Sequence, residues 1–239
     1  VNRVLEICAN SVQSAVAAQA GGAHRIELCQ NLEQGGITPS YGLIRQVRAL
    51  LTIPVFVLIR PRPGNFVYDA AELAIMQADI QLCQELGCTG VVLGVLDAED
   101  YVDVACCREL VALAHPLQVT FHRAFDSCAN QQQALEAIIG MGCQRLLTSG
   151  GQPSATAGMT QLAALVEQAA GRISIMPGAG ITPETLPALV RGTGALEFHS
   201  SAKRLLPTVP GALPELNTPL LETDGAVVAR MVKVLEESN

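Results

Sequence analysis

The chain has no tryptophan, and aromatic residues make up only 3% of its 239 positions. A core built without large rings falls to Val, Leu, Ile and Ala, the residues of parallel sheets covered by helices. Basic residues are also scarce: 15 Lys and Arg stand against 22 Asp and Glu, for a formal charge of -7. A binder of phosphate backbones needs the opposite balance, so nucleic acid is not expected as a partner. No apolar run approaches the roughly 18 to 20 residues that cross a bilayer, and no basic stretch leads into an apolar one near the start. The expectation is a soluble, cytoplasmic protein with no membrane partner. C-x-x-C is absent, and the eight cysteines sit mostly inside apolar segments, so all eight are read as reduced. The first turn also holds no G-x-G-x-x-G, which argues against an open dinucleotide-binding sheet.

What is present is alternation. Apolar runs at Arg3–Cys8, Arg25–Cys29, Pro54–Arg60, Gly90–Leu96, Leu117–Phe125, Arg145–Ser149, Arg172–Met176 and Ala195–Ser200 read as strands. Between them lie helical segments over about 12–20, 40–50, 69–86, 103–114, 130–141 and 157–170, and a short helix starting on Thr182-Pro183-Glu184, most of them closed by Gly or Pro. Eight such units at roughly thirty-residue spacing predict an α/β fold, a single TIM-type (β/α)8 barrel over residues 1–239. Four prolines between Pro207 and Pro219 predict a Pro-rich loop at about 204–223, ahead of a C-terminal helix at about 224–237. No Lys lies within a strand segment, which counts against Schiff-base chemistry.

One grammar recurs. Glu6-Ile7-Cys8, Glu27-Leu28-Cys29 and Glu197-Phe198-His199 each place an acid two residues before a thiol or imidazole, so both point to one face of a strand. Strands 8, 1 and 2 are neighbours in a closed barrel, and the three pairs should lie side by side. Reactive groups of such barrels sit at the C-terminal strand ends. There Arg60, His122, Arg123, Asp126 and Lys203 join the acids, with Arg60, Arg123 and Lys203 as the expected cations among the three carboxylates. Acids crowded beside Arg and His suit general acid-base chemistry, or else form a structural ion-pair network.

Cys8 and Cys29 on adjacent strands about 4.8 Å apart can reach one soft ion, Cu(I) or Zn(II), unless barrel stagger offsets the sulfurs or they are plain buried residues. Cys128 is the candidate third ligand. Ser149, Gly150, Gly178, Gly180 and Ser200, on the loops after strands 6 to 8, form a possible anion cradle, although glycine there also serves to turn the chain. His24 and His115 fall at N-terminal strand ends, and no role is assigned to them.

With Leu5-Glu6-Ile7-Cys8, Arg25-Ile26-Glu27-Leu28-Cys29, Gly35-Gly36-Ile37-Thr38-Pro39-Ser40, Ile59-Arg60-Pro61-Arg62, Val119-Thr120-Phe121-His122-Arg123-Ala124-Phe125-Asp126, Leu147-Thr148-Ser149-Gly150 and Glu197-Phe198-His199-Ser200 in view, the chain resembles the CutC family of copper homeostasis proteins over about residues 1–203. The resemblance implies a TIM-type barrel, a cytoplasmic homo-oligomer (dimer or tetramer) and copper, with Cys8 and Cys29 at the positions proposed as Cu(I) ligands. The chain departs from the family's Arg-Pro-Arg-Gly-Gly-Asp-Phe at Pro63 and Asn65, and carries a short Pro-rich stretch where the family has a longer segment. The alternative is an enzyme acting on a small anionic metabolite, with phosphate or carboxylate. In it Glu6 or Glu27 is the base, His122 or His199 the acid, Arg60 and Arg123 the clamps, and Asp126 and Glu197 complete the candidate site.

Overall fold

The computed structural model describes residues 2–207 and 220–238. Eight parallel strands, β1 (Val4–Ala9), β2 (Arg25–Leu28), β3 (Val55–Leu58), β4 (Gly90–Leu93), β5 (Gln118–Phe121), β6 (Arg145–Thr148), β7 (Ser174–Pro177) and β8 (Glu197–Ser200), form one sheet in the order β7-β6-β5-β4-β3-β2-β1-β8. β8 pairs with β1, and β7 lies against β8, so the sheet curls into a nearly closed TIM-type (β/α)8 barrel. Gly178, just after β7, sits at that seam. A Cβ there would stand 2.5 Å from Leu147 Cδ1 of β6, so glycine leaves that side chain its room, while His199 Cβ across the seam, at 3.5 Å, would be in ordinary contact.

Helices α1 (Val12–Ala20), α2 (Tyr41–Leu50), α3 (Ala70–Glu85), α4 (Val104–Ala114), α5 (Gln131–Gly140), α6 (Met159–Ala169), α7 (Leu186–Thr193) and α8 (Gly225–Glu237) wrap the outside. Their starts follow the capping residues. Ser11, Ser40, Asp69, Asp103, Asn130 and Asp224 each accept a first-turn backbone N–H, and Asp69 with Glu72 completes a capping box. Period-two alternation divides the apolar residues. Leu5, Ile7, Ile26, Leu28, Val57, Val91 and Leu93 pack in the large core between sheet and helices, whereas Cys8, Cys29, Phe56, Leu58 and Val92 form a separate small cluster. Placed on the opposite face, that cluster fills only part of the barrel interior, and polar side chains occupy much of the rest.

Three expectations are corrected. The fifth strand stops at Phe121 rather than Phe125, because the His122 ring accepts the Ala124 N–H and starts a 3-10 turn over Arg123–Ser127. The helix expected from Thr182 begins at Leu186, one turn later, after Thr182 and Thr185 exchange hydrogen bonds. The ends of the Pro-rich stretch are paired, β9 (Lys203–Leu205) running antiparallel to β10 (Leu221–Thr223), while residues 208–219 of that expected loop lie outside the described residues. Among the described residues no helix is long and apolar enough to cross a membrane.

Candidate functional site

β8, β1 and β2 do stand side by side, with Glu6 opposite both Arg25 and His199, and Cys8 opposite Glu27. Glu6 is fully buried. Its Oε2 accepts from Arg25 Nε at 2.5 Å and its Oε1 lies 2.8 Å from His199 Nδ1. Arg25 also reaches Glu197 through Nη2, and Arg145 Nε donates to the same Glu197 Oε2 at 2.9 Å. Both guanidiniums lie over the Phe56 ring, 5.5 and 4.9 Å from its centroid.

The cations among the carboxylates are therefore Arg25 and Arg145, not Arg60, Arg123 and Lys203. Arg60 points into the loops after β2 and β3, donating to Gln34 O, Gly36 O and Gly64 O and stacking on Phe66. Arg123 binds Asp126 and Ser149 Oγ, and Lys203 is exposed on β9. Reading only the C-terminal strand ends misses Arg25 and Arg145, which open their strands and reach inward from below. Arg25 stands two residues before Glu27, on the same face, and that spacing is the signal available in the sequence.

The electrostatics divide the acids. Burial raises the pKa of Glu6, but Arg25 and the hydrogen bond from His199 outweigh it and hold the carboxyl at about 2. Glu27 is pushed up to about 7 by burial, which His199 and Arg25 offset only partly against the Glu6 charge. Its Oε2 has no hydrogen-bond partner and lies 3.9 Å from His199 Nδ1. Burial disfavours the His199 imidazolium, yet contacts with Cys8, Glu6 and Glu27 carry its pKa well above the usual value.

Cys8 and Cys29 are free thiols with sulfurs 3.4 Å apart, so the stagger does not separate them. The hydrogen bond with Cys29, then burial, raises the Cys8 pKa well above its ordinary value. Cys128 is not part of this group: its Sγ donates to Ala124 O.

Above the ion pairs opens a cavity of about 730 Å³, whose wall includes Cys8, Glu27, Arg60, His122, His199 and Lys203. Glu6 and Glu197 lie beneath it and do not line it. His122 is neutral, since burial and then Arg60 bring its pKa down to about 3. With Nδ1 accepting from Ala124, the proton sits on Nε2, which has no partner.

The loop after β6 is occupied by the protein's own anion. Asp126 accepts the Ser149 and Gly151 N–H groups and the Thr148 hydroxyl. The Gly150 N–H goes to Thr148 Oγ1, the Gly178 N–H to Thr148 O and the Ser200 hydroxyl to Ile181 O. Of the five expected cradle residues, Gly180 and Ser200 reach the cavity wall and Ser149, Gly150 and Gly178 do not.

The family model described as "CutC family" matches residues 3–204. A CutC family protein of Xanthomonas axonopodis pv. citri is 51% identical over 238 residues, covering 98% of this chain and 99% of the relative. The human copper homeostasis protein cutC homolog is 48% identical over 200 residues, covering 84% of this chain and 73% of the relative. The crystal structure of CutC from Streptococcus agalactiae superposes with a TM-score of 0.80 at 34% identity, covering 83% of this chain and 98% of that one.

Proposed function

The chain belongs to the CutC family, and from that premise we propose that it takes part in copper homeostasis in the cytoplasm, taking Cu(I) as cargo on Cys8 and Cys29. The observation that carries this reading is the 3.4 Å separation of the two free sulfurs. Thiolates bound to one metal ion at about 2.3 Å each are separated by at most about 4.6 Å, so the pair fits a shared ion with little movement. Soft sulfur donors select Cu(I). Cys8 lines the cavity and supplies an entry, while Cys29, fully buried, closes the site from behind.

Anaerobic Cu(I) titration against a competing chelator tests it. The wild type should take one equivalent, and Cys8→Ser or Cys29→Ser should weaken binding by more than roughly tenfold, a loss at least as large as removing an outer partner of a ligand. Unchanged affinity in the double serine variant would sink the proposal.

A second reading, an enzyme acting on a small anionic metabolite by acid-base chemistry, is favoured by the cavity. Its volume of about 730 Å³ suits a small organic molecule far better than a bare ion. Glu27 and the Nε2–H of His122 are the groups that would meet such a substrate, with Lys203 at the rim.

A further inference from the structure

The three carboxylates of the barrel are not equally provided for. Glu6 spends both oxygens, on Arg25 and on His199, and Glu197 Oε2 is shared by Arg25 and Arg145. Two guanidiniums thus serve two carboxylates. Glu27, 5% exposed, is left with Oε2 unbonded in the barrel wall. A buried oxygen of this kind carries a desolvation cost that a cation would remove.

The surroundings fit one. Ligand atoms from Glu6, Glu27 and His199 all lie within 4.8 Å of one another. His199 Nδ1 is 2.8 Å from Glu6 Oε1 and 3.9 Å from Glu27 Oε2. Bonds of about 2.0 to 2.2 Å to a single ion span ligand separations up to about 4.2 Å, which includes both distances. Glu27 and His199 border the cavity, so an ion has a route in and water can complete its shell.

We infer that Glu6, Glu27 and His199 form a site for a divalent cation, distinct from the thiol pair, the ion displacing to solvent the proton that His199 Nδ1 and Glu6 Oε1 share. Two carboxylate oxygens and one imidazole nitrogen suit borderline and harder ions such as Zn(II), Mn(II) or Fe(II), whereas the sulfurs of Cys8 and Cys29 suit Cu(I). Neighbouring walls of one barrel thus present two donor sets of different softness. The cation site does not depend on the copper reading, because neither cysteine belongs to it.

Co(II) is the probe that separates the two sites, since thiolate ligation adds an intense charge-transfer band that oxygen and nitrogen ligands do not. The reduced protein should bind one equivalent with ligand-field bands, whatever Co(II) the thiol pair takes up besides. The Cys8→Ser/Cys29→Ser variant should bind as well as the wild type, and Glu27→Gln should weaken binding by more than roughly tenfold. Imidazole NMR of the unsubstituted protein gives a readout that needs no variant: Co(II) should shift or broaden the His199 signals and spare those of His24 and His115. The inference is overturned if Co(II) does not bind, if the serine variant abolishes Co(II) binding altogether, if Glu27→Gln leaves affinity unchanged, or if the His199 signals do not respond.

Discussion

Arg25 Nε lies 2.5 Å from Glu6 Oε2, an ion pair with both side chains almost wholly out of solvent. Such a pair adds little over a well-packed apolar substitute, but breaking it from one side leaves a bare buried charge. Arg25→Met should therefore cost about 3 to 5 kcal/mol, and adding Glu6→Gln should restore much of that loss. Urea unfolding of both variants at neutral pH measures it. A single-variant loss under about 1 kcal/mol would place the pair in the class of solvated surface bridges.

Two of the acids should shape the pH dependence of stability in opposite directions. Glu6, lowered from 4.5 to about 2, contributes stability that is present above pH 4.5 and lost as the pH falls toward 2. Glu27, raised from 4.5 to about 7, holds a proton in the native state that the unfolded chain has released. Its contribution is full below pH 4.5 and is lost as the pH rises through 7. Each effect is on the order of 3 kcal/mol at most. Glu27→Gln should flatten the fall between about pH 5 and 8 while leaving the acid limb in place. Urea midpoints from acid to mildly alkaline pH give the comparison, and an unaltered neutral-side slope in the variant would refute the assignment.

The barrel is legible in the sequence because Val, Leu and Ile runs of strand length alternate with capped helices. The overrun of the fifth strand shows the limit of that reading. Phe125 is apolar and buried, but it is buried from a 3-10 turn, and the His122 cap that starts the turn is a side-chain hydrogen bond with no periodicity. The meeting of Glu6, Glu27 and Glu197 follows from period-two spacing and ring closure. Their cations do not follow from strand ends: Arg145 reaches Glu197 across the barrel interior from β6, and only the three-dimensional closure brings the two together. The approach of Cys8 to Cys29 is likewise a matter of side-chain lean, since their backbones are not opposite in register.

Gly90 should prove as important to the ion pairs as any charged residue. A Cβ at Gly90 would lie 2.2 Å from the Phe56 ring and 2.6 Å from Gln118 O, and Phe56 is the ring on which Arg25 and Arg145 rest. Gly90→Ala should cost about 1 to 3 kcal/mol by overpacking. Gly140, in a helix with nothing within 4 Å of the added carbon, is the control, and Gly140→Ala should change stability by no more than about 1 kcal/mol, in the favourable direction. Equal effects at the two positions would show that both the Phe56 ring and the Gln118 carbonyl give way freely.

Asp126 is expected to act as a strut for the loop after β6. Oδ1 accepts from Thr148 Oγ1 at 2.5 Å and from the N–H groups of Ser149 and Gly151 at 3.0 Å, and Oδ2 accepts from Arg123 Nε at 2.7 Å. Asp126→Ala removes acceptors from several donors at once, and each donor left buried costs about 1 to 3 kcal/mol. The loss should concentrate in this loop, so amide exchange at Ser149 and Gly151 should accelerate more than exchange in β1 or β2. Cys8, on β1, and Cys29, the residue after β2, keep their own hydrogen bond, so Cu(I) affinity should stay within about threefold of wild type, equivalent to about 0.7 kcal/mol. Asn should substitute poorly, because its NH₂ turns one acceptor into a donor facing other donors. If Ser149 and Gly151 exchange at wild-type rates in Asp126→Ala, the carboxylate is not what orders the loop.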